Sequence, residues 1–216
     1  MDAVTSLDLM SESVKSPGST YRQVQAEATR VRIADAAQLL FARDGYGATS
    51  MEGIAKEAGV GTRTVYAAFA AKREILSAIC ERWLERARAR ELAREVLEVA
   101  DPTERIRQSA GWLTTLYSTD FDVVRILDSA LDEDQATRDL LHAKLRGRNR
   151  VMDRLIASVE SQLSVPVDEA QSIFRAYAAA GVYGELVVHT GWSPARFKEW
   201  LADTLIFQLT GPTPSP

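Results

Sequence analysis

The stretch from Thr49 to Leu76, TSMEGIAKEAGVGTRTVYAAFAAKREIL, constrains the fold more than any other part of the chain. Thr49 followed by Glu52 reads as a capping box: the hydroxyl accepts from the amide three residues on, and the carboxylate reaches back. Met51, Ile54, Ala55 and Ala58 recur at helical spacing, so one face of this short helix is buried. Gly59 stands where a helix stops and the backbone takes a left-handed residue. Val60 plugs the turn. A second short helix is expected from about Gly61 to Phe69, with Val65, Ala68 and Phe69 inward and Thr62, Arg63, Thr64 and Tyr66 outward. Two short helices joined by a tight glycine turn form a helix-turn-helix, whose second helix enters a DNA major groove.

The residues carrying this pattern are Thr49, Ile54-Ala55, Ala58-Gly59-Val60, Thr64-Val65-Tyr66, Phe69, Lys72, Glu74 and Leu76. Over about residues 27–87, with the motif at 50–69, the sequence resembles the tetracycline-repressor (TetR) family of bacterial transcription regulators. Three positions depart from the family's habit. Gly61 replaces a serine and weakens the cap of the second helix by a few tenths of a kcal/mol. Ala68 removes a common phosphate contact, and Ala71 replaces a small polar cap before Lys72. The resemblance implies an all-α protein of about nine helices. A three-helix DNA-binding domain over 21–71 would be followed by a helical ligand-binding and dimerisation domain over 72–210. Residues 1–20 read as a flexible arm and 211–216 as a frayed tail.

Charge supports a DNA partner only when it is divided along the chain. The net charge is −4. Tyr21 to Arg90 nevertheless carries 12 basic and 8 acidic side chains, against 13 and 19 from Glu91 onward. A basic segment beside an acidic one is the footprint of a local nucleic-acid surface, or simply of solvation. The single cysteine, Cys80, cannot form an internal disulfide and suits a reducing compartment. No apolar run approaches the ~20 residues of a membrane span, and no signal pattern opens the chain. A cytoplasmic protein without membrane contact is expected.

Outside the motif the chain reads as amphipathic helices. The first runs from about Gln23 to Arg43, and a long one from Lys72 to about Glu98 with Arg82, Arg86, Arg88 and Arg90 pairing to Glu81, Glu85 and Glu91 at i,i+4. Asp101-Pro102-Thr103-Glu104 is a clean helix start. Further helices are expected over about 121–131, 135–163, 168–190 and 194–209. The arginines at 146, 148, 150 and 154 form either a second basic patch or a solvated face. The last two helices combine a small-residue run, Ala176 to Gly184, with a helix apolar on two sides. In the family such a pair forms a four-helix homodimer interface.

For catalysis little can be assembled. Glu185 and His189 share a helix face at i,i+4, compatible with a metal or proton-transfer pair, or with a plain polar pair. No further ligand presents itself, so no metal, cofactor or catalytic set is expected. A pocket is better supported: Trp112, Tyr117, Phe121, Phe174, Tyr177 and Tyr183 fall on helices that surround a cavity in the family, suiting a small hydrophobic or aromatic effector. The resemblance implies phosphate contacts from Thr49, Lys72 and Tyr66, with Thr62, Arg63 and Thr64 at base edges. The functional expectation is a ligand-responsive repressor bound as a homodimer to a double-stranded palindromic operator. An activator of the same fold, or a helical small-molecule binder without specific DNA binding, are the alternatives.

Overall fold

The computed structural model describes residues 17–211, and within them every regular element is helical. Eleven α-helices occur: α1 (Pro17–Asp44), α2 (Met51–Glu57), α3 (Thr62–Ala68), α4 (Lys72–Arg86), α5 (Ala89–Glu98), α6 (Pro102–Thr119), α7 (Phe121–Ser129), α8 (Gln135–Ala157), α9 (Val167–Tyr177), α10 (Ala180–Tyr183) and α11 (Pro194–Thr210). Short 3₁₀ turns follow α7 and α8, and a π-helical segment, Gly184–His189, continues α10. The expected arm lies outside the described residues up to position 16, while residues 17–20 are the start of α1 rather than arm.

Local chemistry sets most of the boundaries. Asp101 accepts from the Glu104 amide at 2.7 Å, Asp134 from Thr137 at 2.9 Å and Ser193 from Arg196 at 3.1 Å, with Pro102 and Pro194 in the first turns of their helices. α1 ends where Gly45 takes φ +90.

Two helices expected as continuous are broken. The one from Lys72 ends at Arg86, and Arg88 adopts φ 48, a left-handed conformation rare outside glycine. The one expected over 168–190 breaks at Ala178–Ala179, and its start is at Val167 after Pro166. These two breaks turn nine expected helices into eleven.

The ion pairs differ as well. Arg82 reaches Asp35 of α1 at 2.8 Å, Arg86 reaches Asp120 at 2.7 Å, Arg88 reaches Glu95 and Arg90 reaches Glu81. None is the i,i+4 pair that helical spacing offered: Arg82 and Arg86 reach carboxylates on neighbouring elements, and only Arg88 and Arg90 lie at the bend.

The buried side chains form one continuous core. Ile33, Ala37, Phe41, Ile54, Val65, Phe69, Ile75 and Leu76 tie α1–α4 together, and α4 passes the packing on through Trp83, whose Nε1 donates to Leu116 O at 2.9 Å. α1 also touches the body through Gln38 on Asp120 (2.9 Å). Tyr46 Oη and Thr137 Oγ1 lie 3.2 Å apart across the same boundary. α6 is the central helix of the second half, with α5, α8 and α11 packed on it.

Candidate nucleic-acid interface

The turn between α2 and α3 is held by backbone alone. Val60 N donates to Ala55 O at 3.0 Å and Gly59 N to Lys56 O at 3.2 Å, with Gly59 at φ +64. The cap of α2 is Ser50, one residue later than expected: its Oγ accepts from Gly53 N at 3.0 Å. Thr49 is buried, and its hydroxyl donates to Gly45 O at 2.8 Å. That hydroxyl is committed to the α1–α2 turn and does not face outward.

α3 presents the expected row. Val65 and Phe69 are buried, while Arg63, Thr64 and Tyr66 are exposed and Thr62 is half-buried. Tyr66 leaves 48 % of its surface in solvent, an unusual setting for an aromatic without a partner. Ala68 is half-buried rather than inward. Gly61 caps α3 without a side-chain bond.

Arg30 of α1 holds the far end of α3. Its guanidinium stacks over the Phe69 ring at 4.1 Å and donates to Ala68 O. Sequence spacing places Arg30 near the start of a helix as a solvated cation; only its position one turn before Ile33 hints that it shares the packed edge.

Lys72 is equally committed. Its Nζ donates to the carbonyls of Tyr46 (2.5 Å), Thr49 (2.9 Å) and Gly47 (3.3 Å) and lies over the Tyr46 ring. Burial pulls its ammonium below the usual lysine value, against the opposing pull of Glu133 and Asp134. Burial likewise pushes the Tyr46 phenol up. Lys72 therefore fastens α4 to the α1–α2 turn. Glu133 from the body covers Gly47, where a Cβ would collide with its carboxylate.

The family description "Bacterial regulatory proteins, tetR family" matches residues 33–79, which span the buried face of α1, both helices of the motif and the start of α4. That stretch is similar to the N-terminal segment of the tetR family. The match supports a DNA-binding transcriptional regulator. No curated protein matches the chain in sequence.

Solved structures of transcriptional regulators share the fold over most of it. The regulator FadR from Bacillus subtilis, in complex with stearoyl-CoA, is 18 % identical over 82 % of this chain and 98 % of its own, with a TM-score of 0.68. NalD, the secondary repressor of the MexAB-OprM efflux pump in Pseudomonas aeruginosa, is 20 % identical over 87 % and 98 %, TM-score 0.70. A putative regulator from Saccharomonospora viridis, in complex with choline, is 23 % identical over 85 % and 98 %, TM-score 0.66. At these identities the likeness establishes the fold.

The six aromatics expected around one pocket occupy more than one place. Tyr117, Phe121 and Tyr183 pack against one another, Tyr183 meets Phe197 edge to face, and Tyr117 Oη donates to Ala178 O at 2.5 Å. Arg148 donates to the same hydroxyl at 3.1 Å, so one of the expected solvent-face arginines points inward; Arg146, Arg150 and Arg154 are exposed. Phe174 is fully buried, and Tyr177 stacks on Trp200. Trp112 instead forms the wall of a cleft of about 390 Å³ between α5, α6 and the start of α11.

Glu185 and His189 meet at 3.2 Å on the exposed π-helical segment. Among the described residues no three His, Cys, Asp or Glu side chains gather as a metal site, and no helix is long and apolar enough to cross a membrane. Burial pushes the Cys80 thiol up to about 11, which keeps it protonated and unreactive.

Proposed function

We propose that the protein is a ligand-responsive repressor that binds a palindromic operator as a homodimer. The observation that carries this reading is the division of α3: Val65 and Phe69 anchor it, and Arg63, Thr64 and Tyr66 stand free beside it. Arg63 suits guanine, whose O6 and N7 accept a bidentate guanidinium. Thr62 and Thr64 flank it at base edges, and Tyr66 meets a phosphate. Thr49 and Lys72 act indirectly, by fixing the turn that sets the angle of the head. The head ends and the body begins at about residues 71–72.

Dimerisation is supported by the outer face of the last two helical segments. Phe207 is 62 % exposed and Val188 51 %, and Trp200, two turns before Phe207 on α11, stacks with the half-buried Tyr177 and Trp192. Nothing stands above Gly181, which leaves room for a side chain of a second copy. A two-fold pairing through this face would set two recognition helices about 34–36 Å apart. The effector is a small molecule with hydrophobic or aromatic surface, and it releases the operator by favouring a different separation of the two heads.

Selection of bound duplexes from a random pool tests the reading. The expected product is an inverted repeat with half-sites one helical turn apart, bound at two chains per duplex. Enrichment of no sequence, or of a single unrepeated half-site bound by one chain, overturns it.

A further inference from the structure

The cleft between α5, α6 and α11 has a volume of about 390 Å³, in the range of small-molecule sites. Its wall is apolar. Val96 and Trp112 are buried, and the Trp112 indole N–H is already spent on Ala89 O at 2.8 Å, leaving only ring surface toward the cleft. Gly111 opens the floor: a Cβ there would lie 3.3 Å from Lys198 Cε, so the lysine stem crosses just above the glycine.

The charges at the rim are unequal. Glu95 is paired with Arg88 at 3.0 Å, and Gln108 gives its amide N–H to Glu104 at 2.6 Å. Among the described residues Lys198 has one loose anionic neighbour, Glu199 at 3.9 Å. The cleft thus joins an apolar side to one cation, Lys198, whose ion pair is loose, while its one carboxylate, Glu95, is already paired with Arg88. Complementarity calls for a ligand with an apolar body and a single negative charge.

We propose that this cleft is the effector site and that it takes a small amphipathic monoanion, a carboxylate whose chain or ring lies on Val96 and Trp112 and whose head meets Lys198 Nζ. The proposal rests on the ligand-responsive reading above for its regulatory half. The route to DNA is short. Trp112 is bonded to Ala89, the first residue of α5, beside the left-handed Arg88. Beyond that bend lies α4, whose first residue, Lys72, fastens the head. A ligand wedged between α5 and α6 loads the bend directly.

Octanoate is the test probe, with octan-1-ol and octyltrimethylammonium as its neutral and cationic counterparts, measured by calorimetry on the full chain. Octanoate should bind most tightly of the three. Lys198→Met, which keeps the stem, should weaken octanoate about fivefold and leave octan-1-ol unchanged. Gly111→Leu, with its helical signal intact, should abolish both. Equal affinity for all three probes, or octanoate binding indifferent to Lys198→Met, overturns the site. The duplex selected above separates the two proposals. Octanoate binding that needs Lys198 yet leaves duplex affinity unchanged overturns the ligand-responsive reading and keeps the site. A different compound that releases Gly111→Leu protein from the duplex as it releases wild type overturns the site and keeps the reading.

Discussion

Lys72 Nζ donates to the Tyr46 carbonyl at 2.5 Å while lying 4.3 Å from the centre of that residue's ring. One cation thus meets both the backbone and the face of the residue that closes the α1–α2 turn. The Gly47 and Thr49 carbonyls complete the set. Removing the ammonium leaves three carbonyls short of a donor in a half-buried place.

Lys72→Met should therefore destabilise the head by about 2 kcal/mol, the usual scale for charged hydrogen bonds lost without replacement. DNA affinity should fall with it. The slope of log affinity against log salt should not change, since a lysine spent on carbonyls neutralises no phosphate; a lost phosphate contact would lower that slope by about 0.9. Thermal melts and a salt titration on the selected duplex distinguish the two.

Arg63 stands apart from the core, so Arg63→Ala should leave the melting temperature where it is. Its effect should appear in discrimination alone: about 1–3 kcal/mol lost at one base position of each half-site, with other positions unaffected. Repeating the duplex selection with the variant reads this directly.

The backbone at Arg88 lies at φ 48, where a branched Cβ is strained and glycine is not. Arg88→Gly trades that strain and an exposed ion pair against glycine's extra chain entropy, and should change stability by less than about 1 kcal/mol. Arg88→Ile should cost about 1–2 kcal/mol more than Arg88→Gly, because it keeps the strain and adds β-branching. Chemical denaturation of the pair measures the difference.

These residues also mark what the sequence could and could not reveal. The α2–α3 turn was legible because Gly59 and the apolar spacing around it are local signals. The cap was misplaced by one because Thr49 and Ser50 are both good caps, and only the buried carbonyl of Gly45 decides which hydroxyl turns inward. The break at Ala87–Arg88 was illegible for a firmer reason: alanine and arginine are strong helix formers, and the chain bends there against local preference. Ala89 O receives the Trp112 indole, a contact from a helix more than twenty residues away along the chain. Aromatic spacing placed these rings on the helices of the second half, but not that Trp112 borders one cleft while Tyr117, Phe121 and Tyr183 pack against one another.

Asp134 caps α8 through the Thr137 amide and hydroxyl, and these bonds hold its carboxyl below the usual aspartate value. A carboxylate with a lowered folded value contributes stability above its unfolded value of about 3.9, and loses it as pH falls through the folded one. Asp134→Asn should keep a cap yet remove this titration. Its melting temperature should fall less steeply than wild type's as pH drops below about 4. Equal slopes would mean that the bonds to Thr137 do not discriminate between charged and neutral forms.

Phe207 and Val188 leave apolar surface in water, and Trp200, two turns before Phe207 on α11, stacks with Tyr177 and Trp192. Phe207 is the more telling of the two, since it sits on α11 beside the buried Leu205 and Leu209 yet faces away from them. A charge there has no folded-state neighbour to disturb within one chain. Phe207→Glu should leave the helical signal and melting of the isolated chain intact while weakening self-association, by about 1–3 kcal/mol if the ring is buried by a second copy. Sedimentation equilibrium reads that loss as a rise in monomer fraction at low concentration. The same variant should bind a single half-site as wild type does, and lose only the gain that an inverted repeat confers. Unchanged association by Phe207→Glu would place the two-fold contact elsewhere on the molecule.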